Sequence, residues 1–241
     1  MPGSRANNSR PSTWGEGGTS MKAKFTSGNG LDELLAPDAP AWAPQPTQAI
    51  KLMGTPASLQ PTEAIRAAWR ERPIGAVDQV EARALHNGKH LFFRLEWADP
   101  SENRDHGDNS VFPDGAAIAL PVHPQSPPPL ITMGVPGNGI NAWYWRANEP
   151  EYGRHVLAEG YGTSQTLDRD QVRTRGEWRN GRWRVVIARA LQVHSAHPVS
   201  QIETGQLTRF GLVIWEGGRA ERAGLKAFSG DWIDLELEQG S

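Results

Sequence analysis

Gln79-Val-Glu-Ala-Arg-Ala-Leu-His-Asn-Gly-Lys-His-Leu-Phe-Phe-Arg-Leu-Glu-Trp97 is the stretch from which the fold is read. Leu91, Phe93, Leu95 and Trp97 alternate with His90, Phe92, Arg94 and Glu96, the period of a strand that turns one face to a core. Asn87-Gly88 before them suits a tight hairpin turn. A hairpin is therefore expected over 79–97. The plan repeats after Asn180-Gly181, where Trp183, Val185 and Ile187 share one face. Further strands are expected over 48–53, 116–122, 140–146, 155–161, 207–215 and 232–237, and a short helix over 62–72 capped by Thr62. The fold class that follows is all-β: an antiparallel β-sandwich with long loops and few short helices.

Composition agrees with short strands and tight turns, since the chain carries ten tryptophans, 26 glycines and 19 prolines in 241 residues. Residues 1–20 are polar and too poor in apolar side chains to offset the entropy of ordering, so they are expected to be a disordered tail, with Met21 a candidate start. One domain is expected over 21–241, a length at which all-β chains commonly remain single. The prolines of 31–46 argue against a helix there and for an extended wrap anchored by Trp42. Residues 124–129 read as a stiff proline-rich connector. A net charge of −2 and a pI near 6.4 leave no basic footprint for nucleic acid. No run approaches the roughly 20 apolar residues of a membrane span, and the amino terminus lacks the apolar core of a secretory signal peptide.

Two loop regions stand out by residue type. The last methionine of the chain, Met133, precedes the turn-rich Gly134-Val-Pro-Gly-Asn-Gly139 and the aromatic run that ends at Trp145-Arg146. A thioether there is ordinarily a core filler, and it is also a soft, neutral ligand. The second region holds Lys226. Only five of the 25 basic residues are lysines, and beyond Lys89 every Lys/Arg position except 226 is arginine. Unlike arginine, lysine can lose its proton on desolvation and offer a lone pair to a metal.

These regions, quoted as Thr132-Met133-Gly134, Asn141-Ala-Trp-Tyr-Trp-Arg-Ala-Asn148 and Trp215-x-Gly-Gly-x-Ala-Glu-Arg-x-Gly-x-Lys226-x-x-Ser-Gly230, resemble the haem-binding γ subunits of molybdenum enzymes of the ethylbenzene dehydrogenase and dimethylsulfide dehydrogenase type. The resemblance runs on through Ala84-Leu-His-Asn-Gly88 and Arg94-Leu-x-Trp-Ala98. It implies one haem b with Met133 and Lys226 as axial iron ligands, and a chain that transfers electrons and catalyses no bond change by itself. It further implies an α subunit carrying the molybdenum cofactor, an iron–sulfur β subunit, an external acceptor such as a cytochrome, and a periplasmic location reached with the partner. The motifs look closest to the branch that hydroxylates hydrocarbons or sterols. Leu225 and Asn138-Gly139 depart from the family pattern, which bears on propionate and loop contacts. Without cysteine the chain can ligate no iron–sulfur cluster and attach no haem covalently, so the haem would be b-type.

From their nearness to Met133, Trp143, Trp145 and Tyr144 are expected to pack the sandwich and to wall the cofactor, and Arg146 to pair with a propionate. His194 and His197 are read as a surface loop, and Asp105, Asp108 and Asn109 as a polar loop without the spacing of a calcium-binding EF-hand. A competing class stays open: a tryptophan-rich sandwich is also the form of a carbohydrate-binding module, whose aromatic faces stack on sugars, and fold alone does not separate the two.

Overall fold

Two sheets face each other across a core made from one parity of nearly every strand. The computed structural model describes residues 20–108, 110–168 and 170–240. Its strands are β1 (Ser20–Phe25), β2 (Gln48–Lys51), β3 (Met53–Gly54), β4 (Gln79–His86), β5 (His90–Ala98), β6 (Gly115–Pro121), β7 (Ile140–Arg146), β8 (Glu149–Ala158), β9 (Gln165–Thr166), β10 (Val172–Trp178), β11 (Arg182–Ala190), β12 (Leu207–Trp215), β13 (Ala227–Phe228) and β14 (Ile233–Leu237). In the first sheet β2, β4, β5, β11 and β10 are antiparallel neighbours. In the second, β9, β8, β7, β6, β12, β13 and β3 follow in that order, with β14 also on β12, and an antiparallel bridge between Arg173 of β10 and Tyr152 of β8 joins the two sheets.

The expected hairpin is the pair β4–β5, with Leu85 opposite Phe92 and Ala84 opposite Phe93. Between the sheets Phe93, Trp97, Trp143, Trp145, Trp183 and Phe210 are fully buried. The Trp145 and Trp183 rings meet edge-to-face at 4.9 Å, the favoured geometry of their quadrupoles.

The antiparallel sandwich holds with one exception, β1, which the alternation did not reveal. Its first residues pair in parallel with β14 and its last two in parallel with β4, so it crosses from one sheet to the other. The expected strand 48–53 divides in a similar way. β2 joins the first sheet on β4, and two residues later β3 joins the second on β13. The strand expected at 155–161 begins earlier, at Glu149, because Arg146 and Glu149 close a tight hairpin with a register shift between Tyr144 and Arg146.

The stretch 31–46 is not extended throughout. Leu31–Leu35 forms a short helix, α1, because its prolines all lie beyond it, and Pro40 opens a 3₁₀ turn whose fixed φ suits a first helical position. Trp42 is the anchor expected, buried with its indole N–H donating to the Leu34 carbonyl at 3.1 Å. Leu34 and Trp42 cover Leu85, Phe92 and Val186 on the outer face of the first sheet, so Phe92 is as buried as Phe93. The helix expected over 62–72 is the shorter α2 (Glu63–Ala68), with Thr62 Oγ1 accepting from Ile65 N. Of the expected tail only Ser20 lies within the described residues.

A cleft on the outer face of the second sheet

The outward parity of the second sheet is lined with small or aliphatic side chains where it passes under the connector: Ala117 and Ala119 on β6, Ile140 and Ala142 on β7, Val213 on β12 and Phe228 on β13. The connector between β6 and β7 lies over this face. Leu130 sits so close above β12 that a Cβ at Gly211 would meet its Cδ2 at 2.5 Å. Tyr161 Oη donates to the Ile131 carbonyl at 2.7 Å, and the Trp232 indole to the Pro128 carbonyl at 2.7 Å. At the end of that segment the backbone turns left-handed, at Met133 with φ +58° and at Gly134 with φ +94°. Positive φ is uncommon for a residue with a Cβ and marks a position whose surroundings over-determine it. The surroundings here are the Met133 N–H on the Leu130 carbonyl and the Gly160 N–H on the Met133 carbonyl.

Lys226 enters from the loop between β12 and β13. That loop is clamped on several sides. The Glu221 carboxylate accepts from the N–H groups of Gly75, Ala76 and Glu216, Thr55 Oγ1 donates to the Gly224 carbonyl at 2.6 Å, and the Trp215 indole donates to the Ala223 carbonyl at 3.0 Å. Thr55 N in turn donates to the Lys226 carbonyl. With its backbone held on the Thr55 side, Lys226 reaches across to Met133: Nζ and Sδ lie 2.8 Å apart. The lysine is 3% exposed, and its Nζ lies 5.7 Å from the centre of the Trp215 ring. Among the described residues no carboxylate forms an ion pair with it. Burial without a counter-charge pushes its pKa down from 10.5 to about 8, as desolvation does to any cation.

Met133 and Lys226 are thus brought into contact from positions 93 residues apart in the chain. Trp143 and Trp145, expected both in the sandwich and at the same wall, pack the sandwich and do not reach the wall. They point inward, into the core between the sheets, because alternation along β7 sends odd positions there and leaves Ala142 and Tyr144 facing outward. Tyr144 packs on Trp215 at 4.8 Å between ring centres. Arg146 shares the outward parity, but it is engaged beyond the cleft with Glu149 at 3.6 Å and His106 at 3.3 Å. His194 and His197 are exposed, as are Asp105 and Asp108; Asn109 lies outside the described residues. The cleft residues that sequence reasoning passed over are alanines and aliphatics. Their signal was available in the alternation of Ala117 and Ala119 with Ala116, Ile118 and Leu120, but nothing in their chemistry announces a site.

The pair fits an axial ligand set for haem iron. A neutral thioether and an amine made easier to deprotonate by burial face each other in an apolar cleft whose lining includes Ala117, Ala119 and Ala142. Their present spacing is a closed one. A metal held by both would need bonds of about 2.3 and 2.0 Å, for which the 2.8 Å contact leaves no room, and the void between the walls is about 20 Å³, room for about one water. Admitting a porphyrin requires the Met133 and Lys226 side chains to part. Both are unbranched, with several rotatable bonds each.

Residues 39–169 match the family described as ethylbenzene dehydrogenase. The chain is 30% identical over 207 residues to the chlorate reductase subunit gamma of Ideonella dechloratans, covering 85% of this chain and 80% of that one. It is 28% identical over 210 residues to a putative respiratory nitrate reductase heme subunit, ORF7, of Haloferax mediterranei (87% and 70% covered). It is 28% identical over 208 residues to the dimethylsulfide dehydrogenase subunit gamma of Rhodovulum sulfidophilum (82% and 73% covered). Among solved structures, a family 9 carbohydrate binding module from Caldicellulosiruptor kristjanssonii in complex with glucose aligns over 91% of this chain and 97% of that one, with a TM-score of 0.47 and 10% identity. The chain belongs to the ethylbenzene dehydrogenase family.

Proposed function

We propose, from membership of that family, that this chain is the haem b electron-transfer subunit of a molybdenum/iron–sulfur oxidoreductase complex, with Met133 and Lys226 as the axial ligands. The observation that carries this reading is the contact between Met133 Sδ and Lys226 Nζ in a cleft lined by alanines and aliphatics. Haem b, when bound, supplies one-electron chemistry at its iron. The chain's own residues do the rest. Met133 and Lys226 would hold the iron between them, and with two protein ligands in place no position on it would be left for oxygen or a substrate. The thioether favours the reduced metal and raises the potential. Leu130, Ile131, Val213 and Phe228 exclude water, and the same burial that lowers the lysine pKa prepares a neutral amine for ligation.

The partners follow from this role: an α subunit with the molybdenum cofactor, a β subunit with iron–sulfur clusters, and an external acceptor such as a cytochrome. The proposed location is the periplasm, reached bound to the α subunit. No helix among the described residues is long and apolar enough to cross a membrane. Asn141-Ala-Trp-Tyr-Trp145 and Ala220-Glu-Arg222 support a complex that oxidises hydrocarbon or sterol C–H bonds, so that electrons run from the catalytic subunit towards this chain. A native complex that reduced chlorate instead would overturn that part and leave the haem assignment standing.

The carbohydrate-binding alternative calls for exposed aromatic faces. Among the described residues every tryptophan is buried or half-buried, and Tyr152 is the one exposed large aromatic. A reduced pyridine haemochrome spectrum tests the main reading: one protohaem per chain is expected. Lys226→Arg should abolish the low-spin spectrum with the fold retained, since a guanidinium does not deprotonate to ligate. A chain purified from its native complex without protohaem would overturn the proposal.

A further inference from the structure

The loop that carries Lys226 starts from a cluster of carboxylates with almost nothing to neutralise them. Asp99 follows β5, Asp114 precedes β6 and Glu216 follows β12, so the cluster gathers strand ends from both sheets. One oxygen from each lies within 4.8 Å of the others, and the residues are 0%, 0% and 5% exposed. The nearest cation in an ion pair with any of them is Arg219, 3.9 Å from Glu216 with its own side chain 75% exposed.

The hydrogen bonds are unevenly shared. Asp114 Oδ1 accepts from Gly217 N, and its Oδ2 from Asn103 N and the Trp183 indole. Glu216 Oε1 accepts from Gly218 N, with Ser101 Oγ at 3.5 Å, and Asp99 Oδ1 accepts from Ser101 N. Asp99 Oδ2 is buried and makes no full hydrogen bond among the described residues, with only the Trp97 indole N–H, itself otherwise unpartnered, close enough to act on the carboxylate. A buried carboxylate oxygen left in that state is strongly unfavourable unless something positive meets it. More oxygens converge alongside: a Cβ built on Gly218 would lie 2.8 Å from Asn103 Oδ1, 2.9 Å from Glu216 Oε1 and 3.2 Å from Ser101 Oγ.

We propose that Asp99, Asp114 and Glu216 bind calcium, and that the ion ties the ends of β5, β6 and β12 together at the root of the Lys226 loop. An all-oxygen donor set without imidazole or thiolate selects a hard cation. Oxygens within 4.8 Å of one another are close enough for one cation to reach all three at about 2.4 Å. Loop-borne carboxylates with amide and hydroxyl oxygens beside them suit calcium's six to eight irregular ligands better than magnesium's rigid octahedron. Without a cation the alternative is a shared proton, for which desolvation and the neighbouring Asp114 prepare Asp99 by raising its pKa to about 7. The inference does not depend on the haem assignment.

The test uses the full-length haem-free chain, stripped with a chelator and titrated with terbium under tryptophan excitation. Trp183 donates to Asp114 at 3.0 Å, so bound terbium should show sensitised emission, displaced by calcium and not by equal magnesium. Calcium at about 100 times its Kd should raise the thermal midpoint by about 5–10 °C over the chelated protein. Asp99→Asn should lose both effects, and Asp108→Ala, in the exposed acidic loop, should lose neither. Emission that persists in Asp99→Asn overturns the site. So do the absence of sensitised emission and of a calcium shift in the wild-type chain, which decides the matter even if Asp99→Asn does not fold.

Discussion

Replacing Lys226 by methionine tests the idea at the centre of the site, that a cation is buried here in readiness to lose its proton. The native lysine is 3% exposed and its pKa falls from 10.5 to about 8 through desolvation. Below pH 8 the side chain is charged in folded and unfolded chains alike. At about 1.4 kcal/mol per tenfold change, burying that charge then costs the haem-free folded state about 3 kcal/mol. Between pH 8 and 10.5 the unfolded chain binds more protons than the folded one, so stability rises with pH across that window. The contribution is fully present above 10.5 and is lost as the pH falls through 8. Methionine is unbranched, similar in reach and never charged. Lys226→Met should therefore exceed the wild-type chain in stability by about 3 kcal/mol at pH 7, shrinking to about 1 kcal/mol at pH 10. Urea unfolding of both haem-free proteins at the two pH values measures this, and the variant-minus-wild-type difference cancels titrations common to both. A difference that stays level between pH 7 and 10, or a variant less stable at pH 7, would refute the claim that Lys226 is held desolvated and unpaired.

Met133→Leu keeps the bulk and removes the sulfur, so the bound haem should show a lower midpoint potential in redox titration, or be lost more readily to apomyoglobin; no change in either would exclude Met133 as a ligand. Ala142→Phe places a ring on the outward face of β7, where the cleft is lined; haem uptake should fall more than tenfold while far-ultraviolet circular dichroism stays native. Gly217→Ala should destabilise the chain by more than about 2 kcal/mol, because its Cβ would fall 1.7 Å from the Phe112 carbonyl oxygen and overpacking against backbone is not relieved by rotamers. Chemical denaturation gives the value, and a change below about 0.5 kcal/mol would show that the backbone there adjusts freely.

Much of the sandwich was legible along the chain, because strand alternation is a local property. Leu91, Phe93 and Leu95 announce a core-facing strand whatever they pack against, and Asn87-Gly88 announces the turn. β1 was not legible: Ser20–Phe25 is held by two parallel partners distant in sequence, β14 and β4, and parallel pairing leaves no hairpin turn to read. Trp143 and Trp145 pack the sandwich as expected, but the same limit misplaced them at the cofactor wall. Proximity to Met133 in the chain suggested that they meet the same ligand, whereas the parity of β7 sends them to the opposite side of the sheet.

Residue type alone singled out Met133 and Lys226, and their place in a recognisable motif named the chemistry expected of them. That the two atoms touch, in a cleft floored by alanines, depended on the connector lying over Gly211 and on Thr55 and Glu221 clamping the second loop. Asp99, Asp114 and Glu216, separated by as many as 117 positions, are unremarkable acids along the chain. Packing strand ends from two sheets against one another removes them from water, and desolvation is a property of the assembled neighbourhood that no single stretch of polypeptide contains.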